Sequence, residues 1–217
     1  MPVSGSVTSD SERRKMNKYK RFAAAFLTAV IIMVTQTMPA LAAEMPFAGA
    51  TASQQAEINS ALDALPEQIV ALLGKYQRQV ASRDVLAALN GRPAGAGEEW
   101  TGFVRAAYLP SSHQLITREV YIAARPGTTK VEMFHEIGHI VDDEHIETIH
   151  HLASDSPEFQ QIFLEEAPLA VMRPYNKTNT QEYFAESFCL LYTNPAALAA
   201  CPKTVTFIQT IIAGLCN

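Results

Sequence analysis

The stretch Val131-Glu132-Met133-Phe134-His135-Glu136-Ile137-Gly138-His139-Ile140-Val141-Asp142-Asp143 constrains this chain more than any other. It sets two imidazoles four residues apart with a carboxylate beside the first, the HExxH pattern. On a helix, positions i and i+4 lie one above the other on one face. His135 and His139 can therefore reach a single metal ion, with Glu136 placed to reach a water beside it; zinc suits this donor set. Val131, Phe134, Ile137, Gly138, Ile140 and Val141 supply apolar packing around the pair, as a buried metal helix requires and a solvated face does not. Two histidines and a glutamate buried together without a metal would leave polar groups that are expensive to satisfy. Thr129 with Glu132 reads as a capping box that starts this helix one turn ahead of His135.

The beginning of the chain has a different character. Arg13, Arg14, Lys15, Lys18, Lys20 and Arg21 form a basic run, residues 22–34 are apolar, and Met38-Pro39-Ala40-Leu41-Ala42-Ala43 closes with small residues. That order is a secretory signal peptide with cleavage after Ala42. The expected organisation is a signal peptide over 1–42 and one domain over 43–217, exported from the cell and monomeric. The apolar run falls short of the ~20 residues of a membrane span, so no stable membrane anchor is expected. Arg13-Arg14 lacks the apolar pair that usually follows in a twin-arginine signal, and Met16 is an alternative start. Loss of the leader takes the formal charge from −5 to about −9. Such a surface repels nucleic acid and has no basic stripe for phosphate.

Past a small-residue lead-in, residues 54–65 and 66–81 carry apolar side chains at helical spacing, with Pro66 placed to open the second helix. Residues 83–89 make a shorter helix that Asn90-Gly91 stops, and 92–97 is a loop by composition. Residues 100–109 and 115–124 are aromatic and β-branched and read as two strands ahead of the metal helix. The fold class is therefore α+β, mostly helical, with a small sheet whose edge strand faces the metal helix. Such an edge can hold an extended polypeptide by main-chain pairing. Trp100 and the loop 109–114 are candidates to shape that cleft, with a half-buried strand aromatic as the alternative for Trp100.

Two histidines leave a third ligand to find. His145 stands six residues past His139, the metzincin spacing, although Asp142 replaces the turn glycine of that pattern. The other source is residues 173–188. There Thr178 with Gln181 reads as a capping box, and Glu182 and Glu186 share one face of the helix it opens. Of the three cysteines, Cys201 and Cys216 flank a closing helix that would hold them ~20 Å apart, so any disulfide should involve Cys189.

His135-Glu136-x-Gly138-His139 followed by Val141-Asp142-Asp143, then Tyr175 seven residues ahead of Glu182 within Glu182-Tyr183-Phe184-Ala185-Glu186-Ser187-Phe188, resembles the catalytic domain of the anthrax lethal factor family. Within that family the small secreted Pro-Pro endopeptidases are similar in length and leader. The likeness covers about residues 98–215, including Lys203-Thr204-Val205-Thr206-Phe207-Ile208-Gln209. It implies that His135, His139 and Glu182 bind one Zn2+ and that Glu136 is the general base. It further implies that Tyr175 donates to the oxyanion and that Glu186 orients a ligand histidine. The substrate it implies is an extended, proline-rich bacterial surface polypeptide cut between two prolines. Two other readings stay open: a metalloprotease of different specificity, and a secreted adhesin or toxin module that keeps zinc for stability alone. A general base beside an open metal position argues against the latter.

Overall fold

Every large apolar residue of the HExxH stretch from Met133 to Val141 is buried, so the metal helix runs through the core of the protein. The computed structural model describes residues 45–89, 91, 102–123, 127 and 129–215. The expected leader, Trp100, residues 92–97 and Cys216 lie outside them. Among the described residues no helix is long and apolar enough to cross a membrane.

The chain enters through helix α1 (Ala52–Leu62) and helix α2 (Glu67–Gly74). The cap of α1 is Thr51, whose hydroxyl accepts from the Gln54 N–H while the Gln54 side chain returns to the Thr51 N–H. Pro66 opens α2 as expected. The helix does not run on to residue 81, however. It stops at Gly74, and Gln77–Ala81 is a strand, β1. Arg78 explains the break locally: its guanidinium donates to the carbonyls of Leu73, Gly74 and Tyr76, groups that a continuing helix would have used itself. Sheet pairing then decides the conformation of 77–81, a sequence with no strand alternation of its own.

Helix α3 (Arg83–Leu89), strand β2 (Gly102–Tyr108) and strand β3 (Leu115–Ala123) follow. The order in the sheet is β1-β3-β2, with β1 parallel to β3 from Gln77↔Glu119 to Ala81↔Ala123. β2 runs antiparallel to β3 from Gly102↔Ile122 to Tyr108↔Leu115. A bridge from Ala48 to Gln79 covers the outer side of β1, which leaves β2 as the open edge among the described residues.

The second half is helical: α4 (Thr129–Asp143), the short α5 (Ile146–Ile149), α6 (Pro157–Glu166), α7 (Thr180–Thr193) and α8 (Pro202–Gly214). Thr129 is the first helical residue of α4, and it and Glu132 are both buried. Phe159 ties α6, α7 and α8 together, with its ring 5.4 Å from Phe184, 6.0 Å from Tyr183 and 4.9 Å from Phe207. Phe134, Tyr183, Phe184 and Phe188 are fully buried, each side chain worth about 1.5–3 kcal/mol over exposure. The Glu166 carboxylate accepts from the backbone N–H groups of Lys203 and Thr204 and from the Thr204 hydroxyl. A side chain from α6 thereby caps α8, whose own cap position, Cys201, turns its Sγ to the Glu166 carbonyl instead of to the helix. Cys189 and Cys201 are both free thiols, so no bridge joins them.

Candidate metal centre

Helices α4 and α7 cross where Gly138 meets Ala185. A Cβ on Gly138 would stand 2.6 Å from the Ala185 Cα and 2.8 Å from its carbonyl oxygen, so this crossing requires glycine. One turn on either side of Gly138 lie His135 and Glu136 and then Asp142; one turn on either side of Ala185 lie Glu182 and Cys189. Close approach of the two backbones is what lets side chains from α7 reach the two histidines of α4.

His135, His139 and Glu182 each present a ligand atom, and these atoms all lie within 4.8 Å of one another. Glu182 Oε2 stands 3.3 Å from His135 Nε2, and Glu182 Oε1 stands 3.9 Å from His139 Nε2. Donors bonded at ~2.0–2.1 Å to one tetrahedral zinc stand roughly 3.3 Å apart, so the spacing fits such an ion with small side-chain adjustments. Glu182 Oε2 and Glu136 Oε2 are buried without a hydrogen-bond partner, a costly state that a cation at the centre of the group would relieve. A closed set of two neutral imidazoles and one carboxylate is a zinc donor set with room for a fourth, exchangeable ligand.

The remaining site residues surround this group. The Nδ1 of His135 donates to Glu186 Oε2 at 3.1 Å, which fixes the ring and leaves Nε2 facing Glu182. Tyr175, on a single 3-10 turn (Tyr175–Lys177), donates its hydroxyl to Glu182 Oε1 at 3.2 Å and is otherwise largely exposed. Asn179 caps α7 by accepting from the Glu182 N–H at 2.8 Å. The capping box expected on Thr178 and Gln181 is thus off by one residue, because the Thr178 hydroxyl is spent on the Tyr175 carbonyl. Trp100 lies outside the described residues.

Burial works on every charge here. It pulls the His135 imidazole down, but the carboxylates of Glu182 and Glu186 beside its two ring nitrogens and the charge of Glu136 outweigh it and hold that pKa at about 10. His139 lacks such partners; burial and the charge of His135 push it down to about 4. Burial lifts Glu136 to about 8 against the pull of His135, with Glu182 and Glu132 adding repulsion. In Glu182 burial acts upward but loses to His135, His139 and the Tyr175 hydroxyl, so its carboxyl sits below the usual range. Burial and the charge of Glu182 raise the Tyr175 phenol, which stays a proton donor at neutral pH.

The competing third ligand is not brought to the pair. Asp142 is helical rather than a turn, its carboxylate accepting from the N–H and hydroxyl of Ser154, and α4 carries on to Asp143. His145 then points its Nδ1 at the Val141 carbonyl, 3.4 Å away, and is absent from the donor group. One residue escaped the sequence reading altogether. At Gly102 a Cβ would meet Glu136 Oε1 at 2.7 Å and the Tyr121 carbonyl at 2.6 Å, so the open edge strand β2 begins against the glutamate. A glycine opening an otherwise aromatic and β-branched run was the available signal. A groove of about 650 Å³ lies elsewhere, between α6 and α8, and includes none of these side chains.

A family model described as anthrax toxin lethal factor, N- and C-terminal domain, matches residues 109–211. A Pro-Pro endopeptidase of Clostridioides difficile (strain 630) is 35% identical over 81 residues, which make up 36% of this chain and 35% of that protein. The match spans about a third of the relative's length. Every residue of the donor group, with Glu136, Tyr175 and Glu186, falls inside the stretch matched by the family model.

Proposed function

We propose that this chain, a member of the lethal factor-like family over residues 109–211, is an exported zinc endopeptidase that cuts extended, proline-rich bacterial surface polypeptides between two prolines. The observation that carries the reading is the convergence of His135, His139 and Glu182 beside a buried, partnerless Glu136 oxygen and the Tyr175 hydroxyl. His135, His139 and Glu182 hold the ion. When bound, zinc polarises a carbonyl and lowers the pKa of a water toward ~7.

Glu136 takes the proton released as water attacks the scissile carbonyl and passes it to the leaving amine. The Tyr175 hydroxyl turns from Glu182 to the oxyanion that develops on the substrate. Glu186 keeps His135 in the tautomer that offers Nε2. The open edge of β2, beginning against Glu136, gives an extended substrate a line of main-chain partners that ends at the base. The Pro-Pro preference is supported by the name of the Clostridioides difficile relative and by the family likeness.

Zinc content and cleavage of a peptide library centred on Pro-Pro, measured on the mature protein beside its Glu136→Ala variant, test the reading. The expected result is about one zinc in each, with cleavage by the parent alone. Zinc in both and cleavage by neither would overturn the endopeptidase assignment. Cuts confined to bonds other than Pro-Pro would remove the specificity and leave the chemistry.

A further inference from the structure

The turn that carries Tyr175 is three residues long, Tyr175–Lys177, and a single 3-10 turn of that length has little stability of its own. Its three side chains part ways. Tyr175 stands out from the surface with its hydroxyl on Glu182 Oε1, and Asn176 is buried. Lys177 reaches back along the chain, its ammonium donating to the Ala170 carbonyl at 2.6 Å, which closes the loop 170–177 on itself.

Both ends of that loop are fastened to the core. Ala170 is buried, its N–H donates to the Glu166 carbonyl at the end of α6, and the next N–H, of Val171, donates to the Ala197 carbonyl. Glu166 is itself the residue that caps α8 with its carboxylate and receives the Cys201 thiol on its carbonyl. Burial lifts the pKa of that thiol while the Tyr183 hydroxyl and the Lys177 charge oppose it, so the ammonium lies within electrostatic reach of this corner. Beyond the turn, the Thr178 hydroxyl donates to the Tyr175 carbonyl at 2.7 Å and Asn179 accepts from the Glu182 N–H at 2.8 Å. Tyr175 is thus held between two anchors, the end of α6 through Lys177 and the start of α7 through Asn179. The second places Glu182, and the first sets where Tyr175 stands relative to it. The tyrosine ring is 65% exposed, so packing does little to aim it and the backbone beneath it must.

We propose that Lys177 is a positioning residue for Tyr175. Its bond to the Ala170 carbonyl sets the turn so that the tyrosine hydroxyl meets Glu182 and, on the endopeptidase reading on which this part of the role rests, the oxyanion. Lysine suits the task because its ammonium is a compact donor on a long flexible stem, able to reach a carbonyl seven residues back.

Two substitutions test this: Lys177→Met keeps the stem and removes the donor, and Lys177→Arg keeps a charged donor. The first readout needs neither metal nor substrate. It is the carbon-13 NMR signal of the Tyr175 ring in the metal-free protein, assigned with Tyr175→Phe, with the signal of buried Tyr183 reporting that each variant is folded. In the parent the Tyr175 signal should shift on Glu182→Gln. Lys177→Met should lose that response and bring the signal to the position of a solvated tyrosine, whereas Lys177→Arg should keep both as in the parent. A parent-like signal and response in Lys177→Met would overturn the proposal, as would a parent signal already at the solvated position. The second readout is kinetic. Lys177→Met should lower kcat about 10–100-fold with KM and zinc content unchanged, Lys177→Arg should recover most of it, and Lys177→Met added to Tyr175→Phe should cost nothing further. A loss of equal size in both backgrounds would show that Lys177 acts independently of Tyr175 and overturn its positioning role. If the parent cuts no peptide, the endopeptidase reading fails and the ring signal alone still decides whether Lys177 places Tyr175.

Discussion

Tyr175 is exposed and sits on a single helical turn, and its side chain is bonded to Glu182 at 3.2 Å. Its loss should therefore act on chemistry rather than on folding. If its hydroxyl meets the oxyanion, Tyr175→Phe should lower kcat by about 10²–10³-fold, the ~3–4 kcal/mol worth of one donor, with zinc content and thermal midpoint unchanged. Steady-state kinetics beside metal analysis checks this, and a fall in zinc content would assign Tyr175 to holding Glu182 instead. Glu186 occupies the opposite kind of position. It acts through His135, whose ring it orients at 3.1 Å. The HExxH residues were legible in the sequence because helical geometry alone puts i and i+4 on one face. Glu182 was legible only beside His145 as an alternative, since spacing cannot say whether a chain turns after Asp142 or stays helical.

At the scale of elements, Gly138 decides how close α7 comes. In an isolated helix Gly→Ala would gain about 1 kcal/mol from propensity. Here the added methyl would meet Ala185 backbone atoms at 2.6–2.8 Å, which cannot rotate aside, and overpacking of this kind costs about 1–3 kcal/mol. Gly138→Ala is accordingly expected to be net destabilising and to weaken zinc binding, because moving α7 carries Glu182 and Glu186 away together. Chemical denaturation and metal affinity measured on the same variant check it; unchanged zinc affinity would mean that the helices yield without moving the donors. The same scale holds the clearest departure from sequence expectation. Residues 75–81 carry helical spacing, yet β3 and the Ala48 bridge recruit 77–81 into the sheet, and a pairing partner more than forty residues away in the chain is invisible to local periodicity.

Across the whole molecule, neighbouring acids are sealed behind the metal helix. Burial lifts Asp142 to about 7 despite its bonds to Ser154, and burial with the charges of Asp142 and Glu144 lifts Asp143 to about 7. Both folded values lie above the ordinary carboxylate range. Between about pH 4 and 7 the folded protein therefore binds more protons than the unfolded chain, and stability falls as pH rises through that window. Asp142→Asn removes one of these groups. The stability of the variant relative to the parent should rise with pH across the window, by roughly 1 kcal/mol per pH unit at most, and level off above pH 7. Denaturation of both proteins from pH 4 to 8 measures it, and a flat difference would show that Asp142 is ionised throughout. The ion pairs nearby, Lys75 to Glu144 just past α4 and Arg118 to Glu147 in α5, are partly exposed, so they contribute little to this balance.

By itself, the sequence determined the elements whose signal is local: the metal helix with its paired histidines, the β2–β3 hairpin, α3, and the face that Glu182 shares with Glu186. Periodicity and capping chemistry act over one or two turns, and there the reading and the structure agree to within a few residues. Only the tertiary structure decided which carboxylate meets the histidines, because that depends on two helix backbones coming close at Gly138 and Ala185. It also decided that 77–81 is a strand, that Glu166 rather than Cys201 caps α8, and that β2 begins against Glu136. Each of these is a contact between segments far apart in the chain, set by how cores pack and by where buried polar groups find partners, and neither leaves a pattern within any one segment.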